Sequence, residues 1–195
     1  PTLEVVWQLE RLGLAFTGPD ARLRGLCRTL MKYVAHVQDV ATPAWLAARS
    51  LAECERAVGL GFPLRVVPAQ AGDAVSAEEA GPVVDEVGLR GRCEALLGRC
   101  ERAVIEAAVA GREFSVLVAA GVEAGDGPRV WPAVELGGRG VDDAALTERL
   151  GDAARRMFVG FEGVGHARVD LCLANDGALY VREIEFGCRW FGDAS

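Results

Sequence analysis

The chain has 195 residues, 51% hydrophobic and 25% charged, the balance of a globular protein large enough for one sizeable domain or two small lobes. A formal net charge of −7 argues against general nucleic-acid binding, which calls for basic surface. No apolar run approaches the roughly 18 residues of a membrane span.

No signal-peptide pattern is present, and the chain opens at Pro1 without methionine, as a processed or trimmed product would. Cys27, Cys54, Cys93, Cys100, Cys172 and Cys188 contain no CxxC pair, and only Cys93 and Cys100 are close, a heptad apart on a predicted helix. Spacing therefore supports neither a zinc site nor a disulfide framework. Reduced thiols in the cytoplasm or an organelle matrix are the expectation. Of 21 basic residues only Lys32 is lysine, a bias that a GC-rich coding sequence explains blandly.

In chain order, "TLEVVWQLERLG" places Leu3, Val6, Trp7 and Leu9 at helical spacing, with Gly13 as the stop. A second helix is predicted over 20–38, and "TPAWLAA" reads as a short strand. Ser50 followed by Glu53 opens a capped helix closed by Gly59 and Gly61. "PLRVVP" is a brief strand, "AQAGDAVSAEEAG" a small-residue loop and "GPVVDEV" another candidate strand. A helix over 89–99 precedes the strands "RAVIEAAV" and "REFSVLVAA"; "RVWPAVEL" holds Pro132, as an edge strand or a bulge would. An amphipathic helix follows over 141–159. Helices alternate with strands early and antiparallel strands dominate late, so the fold class is α+β with two lobes.

The last stretch, "ARVDLCLANDGALYVREIEFG", reads as a β-hairpin turning on Asp176-Gly177. With a two-residue turn, Asp170 faces Glu183 and Arg168 faces Glu185, all four on one side of the pleat. Facing carboxylates destabilise a sheet, so either a cation sits among Asp170, Glu183 and Glu185, or the acids are solvated and paired by Arg168 and Arg182. A hard divalent cation such as Mg²⁺ commonly takes one or two carboxylates plus ligand phosphates.

The segment Gly165-x-x-Arg168-hydrophobic-Asp170, the hairpin, then Glu183-hydrophobic-Glu185 resembles the C-terminal metal-binding segment of ATP-grasp enzymes, and most of all that of D-alanine–D-alanine ligases. The likeness runs colinearly: "LEVVWQLERLGLAFTGPD" resembles the end of that family's first domain, "RTLMKYVAHVQDVATPAW" a stretch with an ATP-contacting lysine, and "AVIEAAVAGREFSV" the nucleotide segment. The resemblance implies an ATP-grasp fold of two α/β lobes with antiparallel sheets, its N-terminal domain reduced to a remnant. The implied spans are a remnant over 1–25, a central lobe over 26–110 and a C-terminal lobe over 111–195. It also implies ATP and Mg²⁺ as cofactors. Lys32 would contact ATP (with Arg28 as the other candidate), the segment at Glu106 would line the adenine, and Glu113 would bind ribose. Asp170, Glu183 and Glu185 would hold Mg²⁺, and Arg168 would act catalytically by holding the substrate or its reacting intermediate.

Departures from the pattern are as informative. The family's phosphate-binding "Val-Lys-Pro" reads Val66-Val67-Pro68 here, with Arg65 about 7 Å away on the same strand face. The phosphate lid keeps Gly72 and Ser76 but gains Asp73, whose charge repels phosphate. The long covering loop is short, and Glu185 replaces an asparagine. The expectation is a D-alanine–D-alanine-ligase-like domain with catalysis weakened or lost, still able to bind nucleotide, and serving as a structural or interaction subunit. That role implies a protein partner, for which Trp7, Trp45, Trp131 and Trp190 are candidate contacts. The alternative is an active ATP- and Mg²⁺-dependent carboxylate–amine ligase acting on small amino acids or peptides. No nucleic acid and no membrane span enter either reading. His36 and His166 read as ordinary surface or core histidines, and Cys172 as a small buried apolar side chain.

Overall fold

The computed structural model describes residues 3–70, 81–123 and 125–188, which fall into two compact units. One unit comprises residues 25–33 and 42–110; the other comprises 1–24, 34–41 and 111–195, so residues 1–24 group with the C-terminal half.

In the 42–110 unit, β1 (Trp45–Ala48), β2 (Leu64–Pro68) and β3 (Ala103–Ala107) form an antiparallel sheet in the order β1-β3-β2. Alternation divides it into two faces. Leu46, Ala48, Leu64, Val66, Ala103 and Ile105 join one apolar cluster with Cys54, Leu89, Cys93 and Leu96, from helices α3 (Leu51–Glu55) and α4 (Glu86–Leu97). Trp45, Val67, Val104, Ala69 and Cys27 form a smaller cluster of their own. Both helices begin as helix chemistry dictates: Ser50 accepts from the Glu53 amide at 3.3 Å and Asp85 from the Gly88 amide at 2.7 Å.

In the other unit, β4 (Gly111–Ala119), β6 (Val134–Glu135), β7 (Arg139–Gly140), β8 (His166–Ala174) and β9 (Leu179–Phe186) run in the order β7-β6-β4-β8-β9, and β5 (Arg129–Val130) also pairs with β4. Pro132 falls between β5 and β6, where no ladder amide is needed. Helix α5 (Ala144–Gly160) buries Leu146, Leu150, Ala153, Ala154, Met157 and Phe158, a stripe at helical spacing. It packs against β4, β8 and β9, whose core face carries Phe114, Val116, Val118, Val169, Leu171, Ile184 and Phe186. Asp143 caps α5 by accepting from the Leu146 amide at 3.1 Å. Asp143→Ala is expected to cost about 1 kcal/mol, read as a lower urea midpoint with unchanged far-UV dichroism.

Several sequence expectations are corrected. The helix over 20–38 is split: Asp20 caps a short 3₁₀ turn (Ala21–Leu23), and the helix proper, α2, is Arg28–Val37. Gly25, at φ +63, interrupts the run, and Cys27 makes an isolated antiparallel bridge to Gln70. "GPVVDEV" is no strand: Val83 makes a single bridge to Leu64, and Asp85 already starts α4. Cys100 lies beyond the Gly98 cap rather than on the helix that carries Cys93. The lid expected around Gly72, Asp73 and Ser76 lies outside the described residues, as does Trp190.

The hairpin turn is also longer than expected. Ala174 donates its amide to the Ala178 carbonyl at 2.8 Å and accepts from Gly177 at 2.9 Å, leaving Asn175, Asp176 and Gly177 as the loop. That shifts the pairing, so that Leu173 faces Leu179 and Leu171 faces Val181. A bulge at Arg182 then restores Asp170 opposite Glu183 and Arg168 opposite Glu185. The acids face one another as expected, by a route the turn alone does not reveal.

Candidate functional site

In the 42–110 unit, the site residues form a row across the sheet. Glu106 on β3 stands between Trp45 on β1 and Arg65 on β2. Lys32, from α2, is 2% exposed and places Nζ 2.6 Å from Glu106 Oε2 and 6.0 Å from the Trp45 ring centroid. Arg65 reaches the other carboxylate oxygen at 3.7 Å. Two predicted ATP-contacting residues, Lys32 and Glu106, are therefore brought together, paired with each other and buried. Tyr33 packs edge-on against Trp45 with centroids 5.5 Å apart, which fixes the indole over this row.

Val67, where the resembled motif has its phosphate lysine, is 7% exposed and packed with Val104 and Ala69. Arg65 shares its strand face but is engaged with Glu106. Arg28 donates to the Pro68 and Gln70 carbonyls at 2.9 and 3.1 Å.

In the other unit, the non-core face of β4, β8 and β9 carries Glu113, Ser115, Arg168, Asp170, Arg182, Glu183 and Glu185. Arg168 Nε lies 3.0 Å from Asp170 Oδ1, and its terminal Nη2 reaches Asp170 Oδ2 at 3.1 Å. The same Nη2 lies 3.0 Å from Glu185 Oε2, so one guanidinium spans two of the three acids. Burial lowers the tendency of Arg168 to stay charged, but the charge and hydrogen bonds of Asp170, with Glu185, outweigh it and raise its pKa. The cation that keeps these acids together is thus a side chain of the protein itself. Arg182, projected onto this face by the bulge, pairs with Glu113 instead. Ser115 donates its hydroxyl to Asp170 Oδ1 at 2.7 Å. Sequence reasoning missed Ser115, although it lies two residues after Glu113 and therefore on the same face. The tandem Arg182-Glu183, breaking the alternation between Val181 and Ile184, was the unread sign of the bulge.

Oxygen-only carboxylates suit a hard cation. As arranged, however, they do not converge on one: among the described residues no three acid, histidine or cysteine side chains gather closely enough to hold a metal ion. His36 is exposed, and His166 Nε2 meets the Cys188 carbonyl at 2.9 Å. Cys172 is fully buried, its thiol pKa pushed up first by burial and then by Glu113, which leaves it inert as a nucleophile. All six cysteines are free. No helix among the described residues is long and apolar enough to cross a membrane.

No family model matches the chain. Among curated proteins it is similar to D-alanine–D-alanine ligase from Nitratidesulfovibrio vulgaris, 28% identical over 185 residues, which cover 86% of this chain and 59% of that protein. The enzyme of the same name from Bifidobacterium longum is 29% identical over 167 residues, 71% of this chain and 42% of that one. Among solved structures, the D-alanine–D-alanine ligase of Bacillus anthracis complexed with ATP superposes with a TM-score of 0.76 at 24% identity, covering 93% of this chain and 61% of the other. The Coxiella burnetii enzyme gives 0.79 at 20% identity, covering 93% and 53%. The fold, antiparallel sheets with helices in two units, matches that of ATP-grasp D-alanine–D-alanine ligase structures. The chain is similar to D-alanine–D-alanine ligases, and it spans about half the length of the curated relatives it matches, 42% and 59%.

Proposed function

We propose that the chain is a nucleotide-binding domain of D-alanine–D-alanine-ligase type in which ligation is weakened or lost. The observation that carries this reading is the burial of Val67 among Val104 and Ala69, with Arg65 turned to Glu106. A phosphate-gripping lysine is absent there, and the neighbouring cation is already engaged. Removing one such contact to a developing charge typically costs a factor of about 10²–10³ in rate. Glu106, Lys32 and Glu113 match the resembled nucleotide motif in sequence, which supports retained nucleotide binding. Nucleotide binding without efficient phosphoryl transfer follows.

A role as an interaction subunit is favoured by one separate feature. Helix α1 (Leu3–Arg11) and the turn after it leave Leu3, Val5, Trp7, Leu12 and Leu14 exposed.

Calorimetric titration with ATP, with and without Mg²⁺, tests the main reading. Saturable ATP binding is expected, with no phosphate release when D-alanine is added. A well-folded chain that binds no ATP would overturn it, and phosphate release coupled to dipeptide formation would restore the active-ligase alternative.

A further inference from the structure

Helices α3 and α4 pack together on one face of the β1-β3-β2 sheet and bring two cysteines into contact. Cys54 on α3 and Cys93 on α4 are 1% and 0% exposed and share one apolar cluster with Leu89 and Leu96. Their thiols are hydrogen-bonded to each other, with Cys93 as the donor. That bond holds the Cys54 thiol below its ordinary range, against burial and the charges of Glu53 and Glu55. The same bond, with burial, pushes the Cys93 thiol up. Cys54 also lines a cavity of about 480 Å³ between the two helices, with Val58, Val87, Leu89 and Arg90. The cavity gives a small polar oxidant access to one sulfur of the pair.

We propose that Cys54 and Cys93 are a peroxide-oxidisable dithiol whose disulfide staples α3 to α4. Hydrogen-bonded thiols are already neighbours, so closure asks only that the sulfurs draw in to about 2.0 Å. The Cys54 thiolate attacks one peroxide oxygen, the O–O bond breaks, and the departing hydroxide takes up the proton that Cys54 gave up. The Cys93 sulfur then attacks the sulfenic acid. The S–S bond forms, the S–O bond breaks, and a second water leaves with the Cys93 proton. Two thiols and one hydrogen peroxide thus give one disulfide and two waters. The link closes residues 54–93 into a loop that contains β2, and with it Arg65 beside Glu106. A cross-link over such a loop removes freedom from the unfolded chain, so oxidation stabilises the unit that carries the Lys32–Glu106 row.

The test is treatment of the whole folded chain with hydrogen peroxide, followed by thiol titration, peptide mapping without reductant and thermal unfolding. Peroxide is expected to consume two of the six thiols, to link the Cys54 and Cys93 peptides, and to raise the melting midpoint by about 5 °C. Dithiothreitol should reverse all three changes. Cys93→Ala should lose both the link and the rise in midpoint, leaving Cys54 as a sulfenic acid that dimedone labels. A folded chain that keeps Cys54 and Cys93 as thiols under peroxide would overturn the proposal. So would a link between Cys27 and Cys100 in its place, since these two line a different cavity, or a link that forms only in urea. An unchanged or lower midpoint in the linked chain would overturn the staple. If Cys93→Ala fails to fold, the peptide map and midpoint of the parent chain decide by themselves.

Discussion

Lys32→Met should destabilise the chain by about 3–5 kcal/mol, the usual cost of removing one partner of a buried ion pair. Lys32 is 2% exposed and Glu106 6%, so water is not available to replace the lost ammonium. Arg65, at 3.7 Å, compensates only in part because its guanidinium touches the other oxygen and is itself partly exposed. The discriminating companion is Lys32→Met with Glu106→Leu. A buried pair replaced as a whole by apolar side chains is often neutral or stabilising, so the double variant should recover most of the loss. Urea denaturation of the parent, the single and the double variant checks both statements. A single variant that loses less than about 1 kcal/mol would mean that the pair is solvated rather than buried.

The second large effect is expected at the entry to β8. Gly165 has φ +69, and a Cβ there would sit 2.4 Å from the Gly18 carbonyl carbon and 2.7 Å from the Pro19 nitrogen. Those atoms are backbone and cannot rotate away. Gly165→Ala should therefore cost about 3 kcal/mol or more, from left-handed strain together with overpacking. Gly177→Ala is the control: its φ is +84, but nothing lies within 4 Å of the added carbon. It should cost only the conformational part, about 1 kcal/mol. Thermal and urea midpoints for both variants give the comparison. Equal losses would show that the contact with Gly18 and Pro19 contributes nothing. Because Gly165 lies three residues before Arg168, its variant should also perturb the acid-bearing face, whereas Gly177→Ala should not.

How much of this was legible in the sequence varies by element. The alternation in "LRVVP", "REFSVLVAA" and "RVDLCL" reports a backbone period, which burial of one face enforces, and these strands lie where the pattern puts them. Helix α5 was equally readable from its apolar stripe, although its start at the Asp143 cap was not. The region before α2 was not readable, because the bridge from Cys27 depends on Gln70, a residue far along the chain. The facing of Asp170 and Glu183 followed from the hairpin pattern, but its mechanism did not: a three-residue loop and a bulge offset one another. Distances between charged groups lay beyond sequence altogether. That Lys32 and Glu106 would spend their charges on each other, and that Arg168 would span two acids, are facts of side-chain geometry. The colinear motifs could name these residues but not their partners.

The loop of Asn175, Asp176 and Gly177 and the bulge at Arg182 behave as a pair of compensating frame shifts. Between them, Leu179, Tyr180 and Val181 are read in one frame; beyond them, Glu183 to Phe186 are read in the other. A change of one residue in the turn alone would exchange inward and outward faces along the strand, putting acids into the core and Ile184 and Phe186 into water. Length in this hairpin is therefore not a local property. Related chains can shorten or lengthen the turn only if they lose or gain the bulge in step, so insertions and deletions here should be inherited at two linked places rather than one.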